Sequence, residues 1–221
     1  MLKDIIENFQ SHVASINCEN PEFFQAVAKL CESCGYTLEN LAVFNKNLLK
    51  LKSLKYILVA DNPGMTEQHE ECYLVGKAGK TARNFFKNNE LVSDFDEEVA
   101  VLNKTFIHTK STVDLKKLKN FNKLMVDSQV FMANLAVDML EATDCELWIT
   151  GCSELTEKGL FAQYLKTLKE RCAKKPELKE KIFFYPHFSF GNFSKNLNSV
   201  LAKHPEMSVK EALKAATLNV L

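Results

Sequence analysis

The sequence predicts an α/β fold: a three-layer α/β/α arrangement around a parallel four-stranded sheet, with a helical N-terminal extension over residues 1–50. Three observations predict it. Four short apolar runs lie at 55–60, 97–102, 146–150 and 181–185, and each stops on turn or polar residues. Helical patterns separate the runs, so strand and helix alternate. Right-handed crossovers then lay the strands parallel, with helices on both faces of the sheet.

Within residues 1–50, Leu2, Ile5, Ile6, Phe9 and Val13 recur at helical spacing. Asn20-Pro21-Glu22 supplies a cap, a first-turn proline and an acid near the positive helix end. Phe23, Phe24, Val27, Leu30 and Cys31 form the next apolar face, and Gly35 suits that helix's C-terminal turn. The run Tyr56-Ile57-Leu58-Val59-Ala60 reads as a fully buried parallel strand that stops at Asp61-Asn62-Pro63-Gly64. A polar loop leads through Gly76-Lys77-Ala78-Gly79 to a helix from Lys80 or Thr81. The second strand, Glu97 to Leu102, ends on Asn103-Lys104-Thr105. Leu115, Leu118, Phe121, Leu124 and Met125 open a helical stretch over 114–141, with a break expected near Asp127-Ser128. Glu146 to Thr150 is the third strand, and Ser153 is placed to cap a helix over 154–171. The fourth strand, Lys181 to Tyr185, ends at Pro186-His187-Phe188-Ser189. Helices over 193–203 and 208–218 close the pattern, the last with a Ser208/Glu211 capping box.

In a parallel sheet every strand points the same way. Asn62, Asn103, Ser153 and His187 each follow a strand's C-terminal end, so they are expected to meet at one crevice, where such sheets bind ligands.

Several chemistries compete for that crevice. Gly79-Lys80-Thr81 matches the end of a phosphate loop, but the pattern needs glycine at position 74, where this chain has Leu74. Cys72 or Cys152 with His187 outlines a catalytic thiol, against the commoner role of cysteine as a small core residue. Cys31 and Cys34 form a C-x-x-C with no second ligand pair, so two thiols near a helix end is the simpler reading.

A third set covers more of the chain. Asp61-Asn62-Pro63-Gly64, Val75-Gly76-Lys77-Ala78-Gly79, Val101-Leu102-Asn103, Trp148-Ile149-Thr150-Gly151 and His187-Phe188-Ser189 resemble, in that order, motifs of the uracil-DNA glycosylase superfamily. The resemblance spans about residues 55 to 200 and implies one uracil-DNA glycosylase-like domain over 1–221. It implies excision of uracil or a related damaged base from DNA, without metal or cofactor, as a step of base-excision repair. Asn62 falls where the family carries the residue that positions the attacking water, and Asp61 where one branch has a functional acid. Asn103 then reads the edge of the flipped base, donating to O4 and accepting from N3–H. His187 bonds to O2 and stabilises the leaving base. Pro63, Gly64, Tyr73 and Leu74 complete the base pocket, and Ser189 clamps a phosphate. Lys77, Lys80 and Arg83 supply further phosphate contacts, while Phe190 or Phe193 wedges into the emptied stack.

The chain departs from the family in places. Ala60 replaces the leading glycine, Leu74 stands at the stacking aromatic with Tyr73 beside it, and Phe188 replaces the proline after histidine. No cysteine follows Asn103 where an iron–sulfur branch has one. These departures leave open a binding module that takes nucleic acid or a nucleobase but has lost excision. Blander roles also exist: Asn62 as a turn cap, Asn103 bonded to backbone, His187 and the nearby phenylalanines as packing.

Charge balances at 28 basic and 28 acidic residues, which counts against tight non-specific DNA binding. No apolar run reaches membrane-spanning length, and the acidic, amphipathic start is unlike a signal peptide. Seven cysteines without such a signal suit a reducing cytoplasm. A monomeric cytoplasmic protein is expected.

Overall fold

Backbone hydrogen bonding sorts the four apolar runs into β1 (Tyr56–Ala60), β2 (Val99–Asn103), β3 (Glu146–Thr150) and β4 (Ile182–Tyr185). The computed structural model describes residues 1–118 and 122–221, apart from the side chains of Asn122 and Phe190. Every residue of β1, β2 and β4 is buried, as strands covered on both faces require. The sheet has the order β2-β1-β3-β4, and all its pairings are parallel.

From β1 the chain steps outward to β2, then crosses back to β3 and on to β4. The first crossover carries α3 (Met65–Glu70), α4 (Lys77–Asn88) and α5 (Phe95–Glu98). The second carries α6 (Thr112–Leu115) and α7 (Asn122–Ala142), and the third α8 (Ala162–Lys174). Because the steps run in opposite directions, right-handed crossovers put α4 on one face and α7 with α8 on the other. Phe86 of α4 packs its ring 5.1 Å from Trp148 and 5.2 Å from Tyr56. After β4 come α9 (Asn192–Lys203) and α10 (Val209–Ala215); Phe193 of α9 joins the same aromatic layer, 5.3 Å from Tyr185. The reversal of direction falls between β1 and β3, and their C-terminal ends define the topological switch point.

The N-terminal residues form α1 (Leu2–Glu19) and α2 (Pro21–Ser33). Phe9 of α1 lies 5.8 Å from Phe131 of α7, and His12 stacks on the same ring at 4.1 Å.

Several boundaries differ from the expectation. The N-terminal helices stop at Ser33, where Gly35 adopts φ +81°, and residues 34–45 are irregular before a 3-10 turn at Lys46–Lys50. Asn20 turns its amide back to Ile16 O at 2.9 Å instead of capping α2. Glu97 and Glu98 belong to α5, whose amides Asp94 caps, so β2 begins at Val99. Helix α4 starts three residues early because Gly76 serves as its N-cap. Ser153 sits in a 3-10 turn and caps nothing; Glu154 gathers the Phe161 and Leu160 amides at 3.0 and 3.1 Å, delaying α8 to Ala162. Helix α7 runs through Asp127-Ser128 unbroken, with the Ser128 hydroxyl bonded to Met125 O at 2.9 Å. The Phe121 position lies outside the described residues. Among the described residues no helix is long and apolar enough to cross a membrane.

Gly79 shows how tightly α4 seats. A Cβ there would stand 1.5 Å from the Leu74 carbonyl oxygen, whereas a Cβ at Gly76 meets nothing within 4 Å. Gly79→Ala is therefore expected to destabilise the fold by about 1–3 kcal/mol through overpacking. Gly76→Ala, which meets no clash but puts a poorer residue at the N-cap, should cost no more than about 1 kcal/mol. Thermal melts of the two variants check this; equal melting temperatures would contradict the close seating.

Candidate active site

The loop leaving β1 is sewn to the loop leaving β2. The Lys104 amide donates to both Ala60 O and Asp61 O, at 2.9 and 3.0 Å. Pro63 O accepts from the Thr109 amide at 3.3 Å and from His108 Nδ1–H at 3.0 Å. His108 is fully buried, and its Nε2 accepts from the Tyr36 hydroxyl at 3.1 Å. Asn62 spends its amide on the same seam. Its Nδ2 donates to Thr109 Oγ1 at 3.0 Å, and its Oδ1 accepts from Thr112 Oγ1 at 2.9 Å. Glu67 ties the far side, accepting from the Gly64 amide at 2.7 Å and from the Leu74 amide; burial pushes its carboxyl up. Leu74 is held at φ +54°, which turns its carbonyl onto Gly79 and aims the start of α4 at the loop.

These constraints enclose a cavity of about 290 Å³ whose walls include Asp61, Asn62, Leu74, Lys77, Asn103 and His187. Asn103 is 1 % exposed, yet neither its Oδ1 nor its Nδ2 has a hydrogen-bond partner. Buried amides are nearly always satisfied, so an orphaned one on a cavity wall has its full hydrogen-bonding capacity free for a molecule in the cavity. His187 Nδ1 accepts from the Ser189 amide at 3.1 Å, with the Ser189 hydroxyl 2.8 Å away. That nitrogen carries no proton, so the neutral ring keeps its hydrogen on Nε2 as a donor. Burial pushes the imidazole down, opposed by Asp61 and reinforced by Lys104.

Beneath the cavity lies Lys104, with a fully buried side chain. Its ammonium donates to Asp61 Oδ1 and to Thr150 O at 2.6 Å each and to Ala60 O at 3.4 Å, and it stands 5.1 Å from the centre of the Phe161 ring.

The structure thus brings Asp61, Asn62, Gly64, Leu74, Lys77, Asn103 and His187 to one cavity. Pro63 lies in the same loop with its carbonyl engaged, and Ser189 braces the His187 ring. Tyr73 turns into the core, where its hydroxyl donates to Val43 O, so it presents no face to the cavity. Lys80 is exposed one helical turn beyond Lys77. Arg83 pairs with Asp96 at 2.8 Å and covers the Phe95 ring at 4.4 Å. Phe193 is buried and stacks on Phe188 at 4.1 Å, which removes it as a wedge. The side chain of Phe190 lies outside the described residues. Ser153 and both candidate cysteines stand off the cavity wall. Burial pushes the Cys152 thiol up to about 11 and raises Cys72 as well, the reverse of what a nucleophilic thiolate needs. Among the described residues no group of three or more His, Cys, Asp or Glu is placed to hold a metal.

Lys104, Thr109, Thr112, Glu67 and His108 shape the site without having been singled out by sequence. One signal was present: a lysine two residues past the last apolar residue of β2, immediately where the strand ends. Set against protein-family models and curated proteins, the chain matches none.

Burial lowers the His108 imidazole to about 4. The native state therefore keeps it neutral while the unfolded chain takes up a proton near 6.5. Its contribution to stability is complete above about pH 6.5 and is lost as pH falls toward 4. Denaturant unfolding at pH 7 and pH 4.5 should show a smaller acid loss in His108→Gln than in wild type. A His108 imidazole resonance titrating near pH 6.5 would contradict the assignment.

Proposed function

We propose that this chain is a uracil-DNA glycosylase-like base-excision protein, in which the cavity receives a flipped uracil or related damaged base and the N-glycosidic bond is hydrolysed. The observation that carries the reading is the unsatisfied, buried amide of Asn103. One face of uracil offers an acceptor at O4 beside a donor at N3–H, the complement of a carboxamide, whereas cytosine reverses the pattern. A cavity of about 290 Å³ has room for a pyrimidine, and residues from four of the five motifs that suggested the family, Asp61, Lys77, Asn103 and His187 among them, line it together.

The roles divide by what each side chain has left to offer. Asn62 is committed to Thr109 and Thr112, so it acts as scaffold for the loop. Asp61 has one oxygen on Lys104 and lines the cavity with the other free among the described residues. The water oxygen bonds to C1′ as the glycosidic electron pair leaves onto the base, and Asp61 takes the water's proton before passing it to solvent. The base departs as an anion with charge on O2, held by His187 Nε2–H, and is protonated by solvent. Lys77 at the start of α4, with the first-turn amides, supplies the anion-favouring rim for a flanking phosphate. Seven free cysteines fit action in a reducing cytoplasm.

A second reading has its own support. Tyr73 faces the core and Leu74 takes the stacking position, so no aromatic among the described cavity residues grips a base. That favours a module that binds nucleic acid or a nucleobase without excising it.

The test is a uracil-containing oligonucleotide, single-stranded or opposite guanine, incubated with excess protein and scored for abasic sites. Wild type is expected to release uracil; Asn103→Ala, His187→Ala and Asp61→Asn should each slow release by about 100-fold or more. Binding without release by wild type would establish the module. Neither binding nor release would refute both.

A further inference from the structure

Lys104 is the odd member of the site. No other lysine or arginine among the described residues is buried. All three ammonium protons have acceptors within the chain, so it has none to spare for a substrate. Stability alone is a poor reason to bury it, since replacing a buried ion pair with well-packed apolar groups is often neutral or stabilising. Its effect falls on Asp61. That carboxylate follows the end of β1 with its side chain 28 % exposed, and left alone it would be free to rotate toward solvent. One contact prevents this, and one gap makes room for it. Lys104 grips Oδ1 at 2.6 Å. Gly151, at φ +76°, leaves the slot the carboxylate occupies: a Cβ there would stand 2.8 Å from Oδ1 and 3.2 Å from Oδ2. Lys104 is in turn fixed by the Thr150 carbonyl at the end of β3, so the carboxylate is referenced to the two strands that flank the switch point.

We infer that Lys104 is a positioning residue for the Asp61 carboxylate, fixing its rotation and supplying its counter-charge so that one oxygen faces the cavity. The inference rests on the glycosylase reading and adds to it the residue that makes Asp61 competent to orient water. Lys104 touches neither base nor sugar. Its loss should therefore slow the chemical step without weakening DNA binding.

The experiment compares wild type, Lys104→Met, Asp61→Asn and the double variant by single-turnover uracil release, by oligonucleotide affinity from fluorescence anisotropy, and by melting temperature. Lys104→Met is expected to slow release by about 100-fold, in the range of a misplaced general base. Its DNA affinity should stay within about threefold of wild type, the signature of an interaction that matters only in the transition state. The double variant should be no slower than the slower single variant, because two residues acting as one unit are not additive. Lys104→Gln, which keeps donors for the two carbonyls, replaces Lys104→Met if the latter does not fold, with the same expectation. Release at the wild-type rate, or slowing that merely tracks lost DNA affinity, would overturn the assignment, as would a double variant slowed by the product of the two singles. A wild type that releases no uracil overturns the glycosylase reading and this inference together. Release by wild type with an unaffected Lys104 variant overturns this inference alone.

Discussion

One buried ammonium holds the working end of the sheet together. It rises from the residue after β2 and reaches the last carbonyls of β1 and β3 along with the carboxylate after β1. Parallel strands deliver their ends to the same edge, but twist spreads those ends apart, and loops leaving them have no reason to stay in register. Here the ammonium is fully buried while its carboxylate partner keeps a partly exposed edge, and the bonds to two strand-end carbonyls fix the geometry. The cavity wall inherits that order.

Around this point the polar side chains divide into those already committed and those left over. Asn62, Glu67 and His108 are fully spent on holding two loops, with both ends of each group bonded inside the chain. Asn103 is the converse, a carboxamide fully enclosed and bonded to nothing. A protein bears the cost of an unsatisfied amide where a ligand repays it. His187 lies between the two groups, with one ring nitrogen anchored by Ser189 and the other left to donate. Function is thus suggested less by which residue types are present than by which of them lack an internal partner.

The strands were legible in the sequence because burial on both faces leaves a continuous apolar run, and Trp148 or Val59 fits nowhere else. Convergence of Asn62, Asn103 and His187 was legible for the same reason, since co-directional strands fix where their ends go. Ser153 escaped that logic: Glu154 captured the following amides and put a loop where a cap was expected. Asn62 was found in the right place with a different occupation, because its partners Thr109 and Thr112 lie almost fifty residues on and no local pattern announces them. Tyr73 and Leu74 show the limit of register arguments. A left-handed turn at Leu74 decides which of two neighbours faces the cavity, and sequence spacing does not encode that turn.

The hydrogen-bonded line from Tyr36 through His108 to the Pro63 carbonyl has a consequence for how the chain is parsed. Tyr36 belongs to the stretch before the first strand, which the family resemblance does not cover. It nevertheless bonds to the imidazole that holds the Pro63 carbonyl beside the cavity. The segment that follows α2 is thus an external brace for the rim of the cavity, and trimming the chain to residues 55–200 would remove it.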